Sequence, residues 1–217
     1  MKPILLIEAS PRSVRSLSRQ ASLQIVDRLR RRAPGLGVVA RDLAAESLAP
    51  VDEAFAEAMH VPAKQQSEVQ RRALAQSEGL IAELEGAGTL LIGTPMHNFT
   101  VPAVLKAWID QVLRFERTFT RTPEGKRGLL ADRPTYVVVA TGGFITGERA
   151  RQPDFLTPYL TAVLATLGIQ TVEFLHLEPV ARASDRESET RALVQSWLDT
   201  RLPLPADPRS ALRARGS

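Results

Sequence analysis

A chain of 217 residues with 44% hydrophobic content suits one α/β domain with a sizeable core, and no apolar run approaches the roughly 18 residues of a membrane helix. It has no cysteine, which removes disulfides, thiolate nucleophiles and zinc–thiolate sites together. The net charge of +4 argues weakly for nucleic acid, because four arginines against one aspartate place +3 of it in residues 201–217.

The first apolar run, PILLIE at 3–8, begins almost at the N-terminus with no signal peptide before it, so a cytoplasmic protein is expected. It leads into EASPRSVRSLSRQ, which places Ser10, Ser13, Ser16 and Ser18 before or at the start of a helix. In that helix Leu17, Ala21, Ile25 and Leu29 recur every four residues. A hydroxyl-lined loop feeding a helix N-terminus offers an anion free amides, the positive dipole end and O–H donors. Arg12 or Arg15 can add charge there; the plainer alternative is an ordinary N-cap with a polar loop. Arg28, Arg30, Arg31 and Arg32 fall where this helix should end, which suits its negative end and predicts a solvated cluster.

GVVARDL at 37–43 is the second strand-like run. Residues 44–66, rich in Ala and Glu with Pro50 and Pro62, read as a long irregular insert serving as a lid or a partner contact. Val69, Ala73, Leu80, Ile81 and Leu84 follow the helical period, and TLLIG at 89–93 is the third strand. GTPMHNFTVPAVLKAWID then fills the turn from strand to helix with two prolines. Pro95 fixes one φ and Pro102 starts the helix, so the backbone between them is held rigid. Met96 and Phe99 offer apolar contact to a planar heterocycle, and Asn98 offers donor and acceptor. Val104, Leu105, Trp108, Ile109, Val112 and Leu113 form a broad stripe that predicts the most deeply packed helix. TYVVVAT at 135–141 is the fourth strand, and TGGF at 141–144 follows with two glycines that permit close backbone approach to a ligand. A helix is expected from about 154 to 167, then a fifth strand, TVEFLHL, at 171–177. A last helix should follow Ser184, where Ser184 and Glu187 have capping-box spacing. Residues 1–201 form one domain in this reading, and the Pro-, Arg- and Ala-rich end at 202–217 a disordered tail.

Near-continuous apolar runs mark strands buried on both faces, and their alternation with helices predicts a doubly wound five-stranded parallel sheet of order 2-1-3-4-5. Ligands bind such sheets beyond the carboxyl ends of the strands, at the switch point. Several chemistries fail there. The dinucleotide glycine fingerprint, the Walker-type loop and the G-x-S-x-G elbow are missing, and PEGKRG at 123–128 has neither the spacing nor the hydroxyl of a phosphate loop. His60, His97 and His176 lack metal-ligand spacing, so each is expected to be structural or at the surface. Three loops after strands 1, 3 and 4 can surround one crevice suited to a mononucleotide.

GTPMHNFTVPAVLKAWID resembles the P-M-x-N-F-x-x-P-x-x-L-K motif of the FMN-dependent NADH-azoreductases, within the flavodoxin-like quinone reductase superfamily. The similarity covers roughly residues 3 to 180 and takes in the serine loop, RTF at 117–119, the glycine pair and DFLTPYLTAVLATLGI at 154–169. It implies a flavodoxin-like fold and a homodimer with tightly bound FMN at sites on the subunit interface. Carried over by position, Ser10, Ser16, Leu17 and Ser18 would hold the phosphate. Pro95, Met96, His97, Asn98 and Phe99 would line the ring, with Thr141, Gly142, Gly143 and Phe144 at its pyrimidine side. His60, Phe119, Phe155 and Tyr159 fall to the substrate side, with Phe119 and the neighbourhood of His60 coming from the partner subunit. Two places depart from the motif: His97 replaces a tyrosine, and Ala140-Thr141 replaces Ser-Arg.

The activity so implied is ping-pong two-electron reduction of quinones and azo compounds by NADH or NADPH. No side-chain nucleophile is required. His97 is a candidate proton donor, since imidazole titrates near neutrality; the alternative gives it a backbone role with the ring outward. Rival readings are a non-enzymatic flavodoxin-like electron carrier and a flavin-free interaction module. A receiver domain would need an acidic cluster after strand 1, where Glu8 stands alone.

Overall fold

The computed structural model describes residues 1–179 and 186–205. The five apolar runs become five parallel strands: β1 (Ile4–Glu8), β2 (Val38–Asp42), β3 (Thr89–Pro95), β6 (Thr135–Ala140) and β7 (Val172–Leu177). They pair in the order β2-β1-β3-β6-β7, which is the expected 2-1-3-4-5 once a hairpin between β3 and β6 is counted separately. The helices in between are α1 (Leu17–Arg32), α2 (Glu53–Ala58), α3 (Glu68–Gly86), α4 (Ala103–Val112), α5 (Leu156–Leu167) and α6 (Arg186–Arg201).

Side chains alternate across each strand, so the sheet carries two cores. Leu5, Ile7, Leu90, Ile92, Val137 and Val139 face α3, α4 and α5. Ile4, Leu6, Leu91, Tyr136 and Val138 face α1 and α6. Leu105, Trp108, Ile109 and Val112 are each at most 1% exposed. Five of the ten α4 residues are buried, the largest share of any helix among the described residues. Burial on both faces holds for β1, β3 and β6 and fails for the two edge strands: Val39 of β2 is 42% exposed, and only Leu175 and Leu177 of β7 are buried. β2 is an edge strand, so one flank and part of its outer surface lack a covering neighbour.

Several expectations need correction. The insert at 44–66 is not irregular throughout: Asp52 Oδ1 accepts from Phe55 N–H at 2.8 Å and caps α2. Phe55 and Ala58 of α2 form a satellite core with Leu74 of α3. Arg28 is not solvated; it is 5% exposed, donates to the Leu198 and Leu202 carbonyls and pairs with Asp199 Oδ1 at 2.8 Å. It therefore caps the end of α6, whose last carbonyls lack intrahelical donors. Leu202 is 2% exposed and belongs to the core under α1 and α6, so the packed chain runs past the expected boundary at 201. Ser184 and residues 206–217 lie outside the described residues, and the side chain of Glu187 is likewise not described.

The sequence reading also lacked the antiparallel hairpin of β4 (Phe119–Thr122) and β5 (Gly125–Gly128). It is anchored at its far end, where a Cβ on Gly128 would lie 2.1 Å from the Gly168 nitrogen. Two backbones can approach that closely only without side chains. Among the described residues no helix is long and apolar enough to cross a membrane.

Candidate functional site

The carboxyl ends of β1, β3, β6 and β7 open into one cavity of about 620 Å³. The loop after β1 supplies its polar wall. Ser16 and Ser18 are 4% and 0% exposed, and their hydroxyls meet at 3.1 Å. Ser16 Oγ also accepts from Arg19 N–H, which makes it the N-cap of α1. The other first-turn amides of a helix have no intrahelical acceptor, so this end of α1 is suited to cradle an anion. Ser10, Leu17 and the exposed Arg12 and Arg15 complete this wall.

Pro95, Met96 and His97 form the second wall. His97 N–H donates to Thr100 O at 2.9 Å and Thr100 N–H returns to His97 O at 3.0 Å, closing a two-residue turn. Its central residues, Asn98 and Phe99, have φ of 47° and 72°. Positive φ at both positions is the pattern of a type I′ turn, which favours Asn-Gly; a phenylalanine at the second position is strained. The turn explains why the stretch between the prolines is rigid. The turn occupies the His97 N–H and one lone pair of its carbonyl, while the side chain is exposed.

The third wall is Ala140, Thr141 and Gly142. The Thr141 hydroxyl bonds both the N–H and the carbonyl of Gly143, so it shapes the turn instead of facing solvent. A Cβ on Gly142 would meet nothing within 4 Å, whereas one on Gly143 would lie 2.7 Å from Gln152 Oε1. Gln152 Nε2 lies 3.8 Å from Met96 Sδ, so this side chain bridges the second and third walls. Glu178 Oε1 accepts from Ile145 N–H and Thr146 N–H, both at 2.8 Å, and pins the loop after β6 to the end of β7.

The cavity thus gathers Ser10, Ser16, Leu17, Ser18, Pro95, Met96, His97, Thr141 and Gly142 of the expected cofactor residues. Asn98, Phe99, Gly143 and Phe144 stand just outside it, and Phe144 lies under the Arg149 guanidinium at 4.5 Å. The four residues assigned to the substrate side do not line it within one chain. His60 is exposed beyond α2, Phe119 belongs to the hairpin, and Phe155 and Tyr159 begin α5. Pro179, Gln152 and Glu178 had no signal in the sequence, because each acts through a neighbour brought by another strand. His176 is structural: it bonds Thr157 Oγ1 at 3.0 Å and stacks on Phe174, and burial holds its pKa below the ordinary histidine range.

The residues present suit a phosphorylated planar cofactor: buried hydroxyls at a helix start, a rigid apolar wall, and an open approach over Gly142. The sequence matches the family described as flavodoxin-like fold over residues 2–200. It is 53% identical over 178 residues to FMN-dependent NADH:quinone oxidoreductase 4 of Pseudomonas fluorescens, covering 82% of this chain and 84% of that protein. It is 46% identical over 197 residues to FMN-dependent NADH:quinone oxidoreductase 2 of Cupriavidus pinatubonensis, covering 91% and 96%. The fold matches an FMN-dependent NADH-azoreductase from Bacillus anthracis, solved with FMN, at TM-score 0.80 and 21% identity over 93% of this chain and 100% of that one. A match across nearly the whole chain, with relatives sharing about half its residues, places it plainly: the chain belongs to the flavodoxin-like fold family, beside proteins named FMN-dependent NADH:quinone oxidoreductases.

Proposed function

We propose that the chain is an FMN-dependent NADH:quinone oxidoreductase that also reduces azo compounds and works as a homodimer in the cytoplasm, where NADH is available. The observation that carries this reading is the single cavity into which the serine loop, the Pro95–Met96–His97 wall and the Thr141–Gly142 turn converge. The names of the relatives supply the donor and the acceptor class.

Bound FMN supplies two-electron redox chemistry in a ping-pong cycle. Ser16 and Ser18 would hold the phosphate, and the α1 amides would meet its charge. Pro95 and Met96 would hold the ring, and the Thr141–Gly142 backbone, where Gly142 leaves open space, would meet its edge. Those groups exclude water and position; none needs to form a covalent bond. The exposed His97 side chain lines the mouth of the cavity, where it could pass a proton to a reduced acceptor.

A second copy completes the site. Phe99 and Phe155 are 44% and 59% exposed beside the cavity, a surface that suits burial against a partner. The substrate-side Phe119 and the region of His60 then come from that copy.

The deciding measurement is the visible spectrum of the purified protein before and after anaerobic NADH. A yellow protein that bleaches, and oxidises NADH in steady state once a quinone is added, supports the reading. Failure to take up FMN overturns it, and flavin that bleaches without turnover reduces it to an electron carrier.

A further inference from the structure

β1 ends on a carboxyl group that its surroundings do not satisfy. Ile4, Leu6 and Glu8 share one face of the strand, and the first two pack under α1 and α6. Glu8 continues that face into the core. It is 3% exposed, and neither carboxyl oxygen has a hydrogen-bond partner. The neighbouring strand makes room for it: Gly93 is its register partner, and a Cβ there would lie 2.7 Å from Glu8 Oε2 and 2.5 Å from Ser22 Oγ. The Ser22 hydroxyl faces the same space, without a hydrogen bond of good geometry to the carboxyl. A buried carboxylate so placed is costly when ionised.

The charged groups around it do not remove that cost. From α1 comes Arg19, which is engaged with Asp42 Oδ2 at 2.9 Å and with the Ser10 carbonyl at 3.3 Å. From β2 comes Asp42, whose charge opposes ionisation, and β3 contributes only Gly93. Burial accordingly pushes the Glu8 pKa up to about 7, with Arg19 and then the Ser22 hydroxyl pulling the other way.

Arg19, which bonds the Ser10 carbonyl and acts on the Glu8 charge, links this carboxyl to the serine loop. Ser10, two residues on, lines the cavity; so does Ser18, which stands one helical turn before Ser22 on the same buried face of α1. We propose that Glu8 couples cofactor binding to protonation: its carboxylate takes up a proton from solvent when the FMN phosphate enters the serine loop, and releases it when FMN leaves. The inference rests on the FMN reading above. Its consequence is that cofactor retention weakens as the pH rises past neutrality, through a residue that never touches the ligand. Glu8 is thus a positioning residue, acting through its charge.

Calorimetric titration of flavin-stripped protein with FMN, in two buffers of different ionisation enthalpy at about pH 7.5, reads this directly. The expected result is uptake of roughly half a proton with FMN and none with riboflavin, which lacks the phosphate. In Glu8→Gln the uptake disappears. FMN then binds roughly tenfold more tightly than to the wild type at about pH 8.5, and within about twofold at pH 5.5, where Glu8 is already neutral. FMN binding with no uptake in the wild type, or uptake that survives in Glu8→Gln, overturns this inference and leaves the proposed function standing. No FMN binding overturns both. If the variant does not fold, infrared difference spectra of the wild type decide: adding FMN must convert a carboxylate band into a protonated carboxyl band, and its absence refutes the coupling.

Discussion

The Phe155 amide donates to the Phe99 carbonyl at 3.0 Å, tying the start of α5 to the strained turn after β3. Each residue was expected on a different part of the site, and the bond shows that both belong to one surface at its rim. Strain at such a place is held by its surroundings, and its use lies in presenting the rim in one conformation.

Phe99→Gly tests that strain. Glycine adopts the 72° φ without penalty, so the turn itself should gain about 1 kcal/mol. We expect an unchanged or higher melting temperature together with at least a severalfold loss of kcat/KM for quinone, since the aromatic rim is gone. A clear drop in melting temperature would show that the ring contributes more to stability than the turn loses through strain.

Gly142 and Gly143 should separate binding from packing. Gly142→Ala meets open space in the protein and should leave the melting temperature unchanged while weakening FMN binding. Gly143→Ala displaces the end of Gln152, and so loosens its bridge to Met96. Adding Gln152→Ala to Gly143→Ala should cost less than the sum of the two single changes, because both remove one contact. Strict additivity would mean that the bridge carries nothing.

Gly128→Ala has no such escape, because its Cβ would meet the Gly168 backbone. We expect a loss of roughly 3 kcal/mol in denaturant unfolding, through separation of the hairpin from the end of α5. A near-neutral variant would mean that the hairpin is free to move away from α5.

His97→Phe removes the imidazole at the mouth and keeps the turn. The pH–rate profile for quinone reduction should lose one limb, while anaerobic bleaching by NADH is little changed. An unaltered profile would remove His97 from the chemistry.

Two carboxyl groups should give the flavin-free protein opposite pH responses. Hydrogen bonds from the Thr171 hydroxyl, then from the Thr171 and Gln170 amides, hold the Asp132 pKa at about 2. A depressed carboxylate contributes stability above its unfolded pKa, and that stability is lost as the pH falls from near 4 through 2. Glu8, with its pKa raised to about 7, works the other way: the folded state holds a proton that the unfolded chain releases above about 4.5. Stability should therefore fall by about 3 kcal/mol as the pH rises from about 4.5 to 7 and then level off. Glu8→Gln should remove that decline, as read from urea midpoints across the range.

Much of this was legible in the residues. Five apolar runs of strand length separated by helical periods leave few arrangements of the chain, and the serine loop and the Pro95–Pro102 stretch carry their chemistry locally. Edge exposure of β2 and the burial of Arg28 were not legible, because both depend on which element lies alongside. The short α2 and the β4–β5 hairpin escaped notice for a related reason: their hydrophobic patterns are too short to stand out, and each is held by a neighbour distant in sequence. The sequence by itself determined the sheet, its order and the three loops at its carboxyl ends, since hydrophobic period and turn chemistry are properties of neighbouring residues. Only the tertiary structure decided that Gln152 joins two walls and that Gly93 leaves room for the buried Glu8 carboxyl. Those are relations across strands and loops, which close packing creates and a linear pattern does not record.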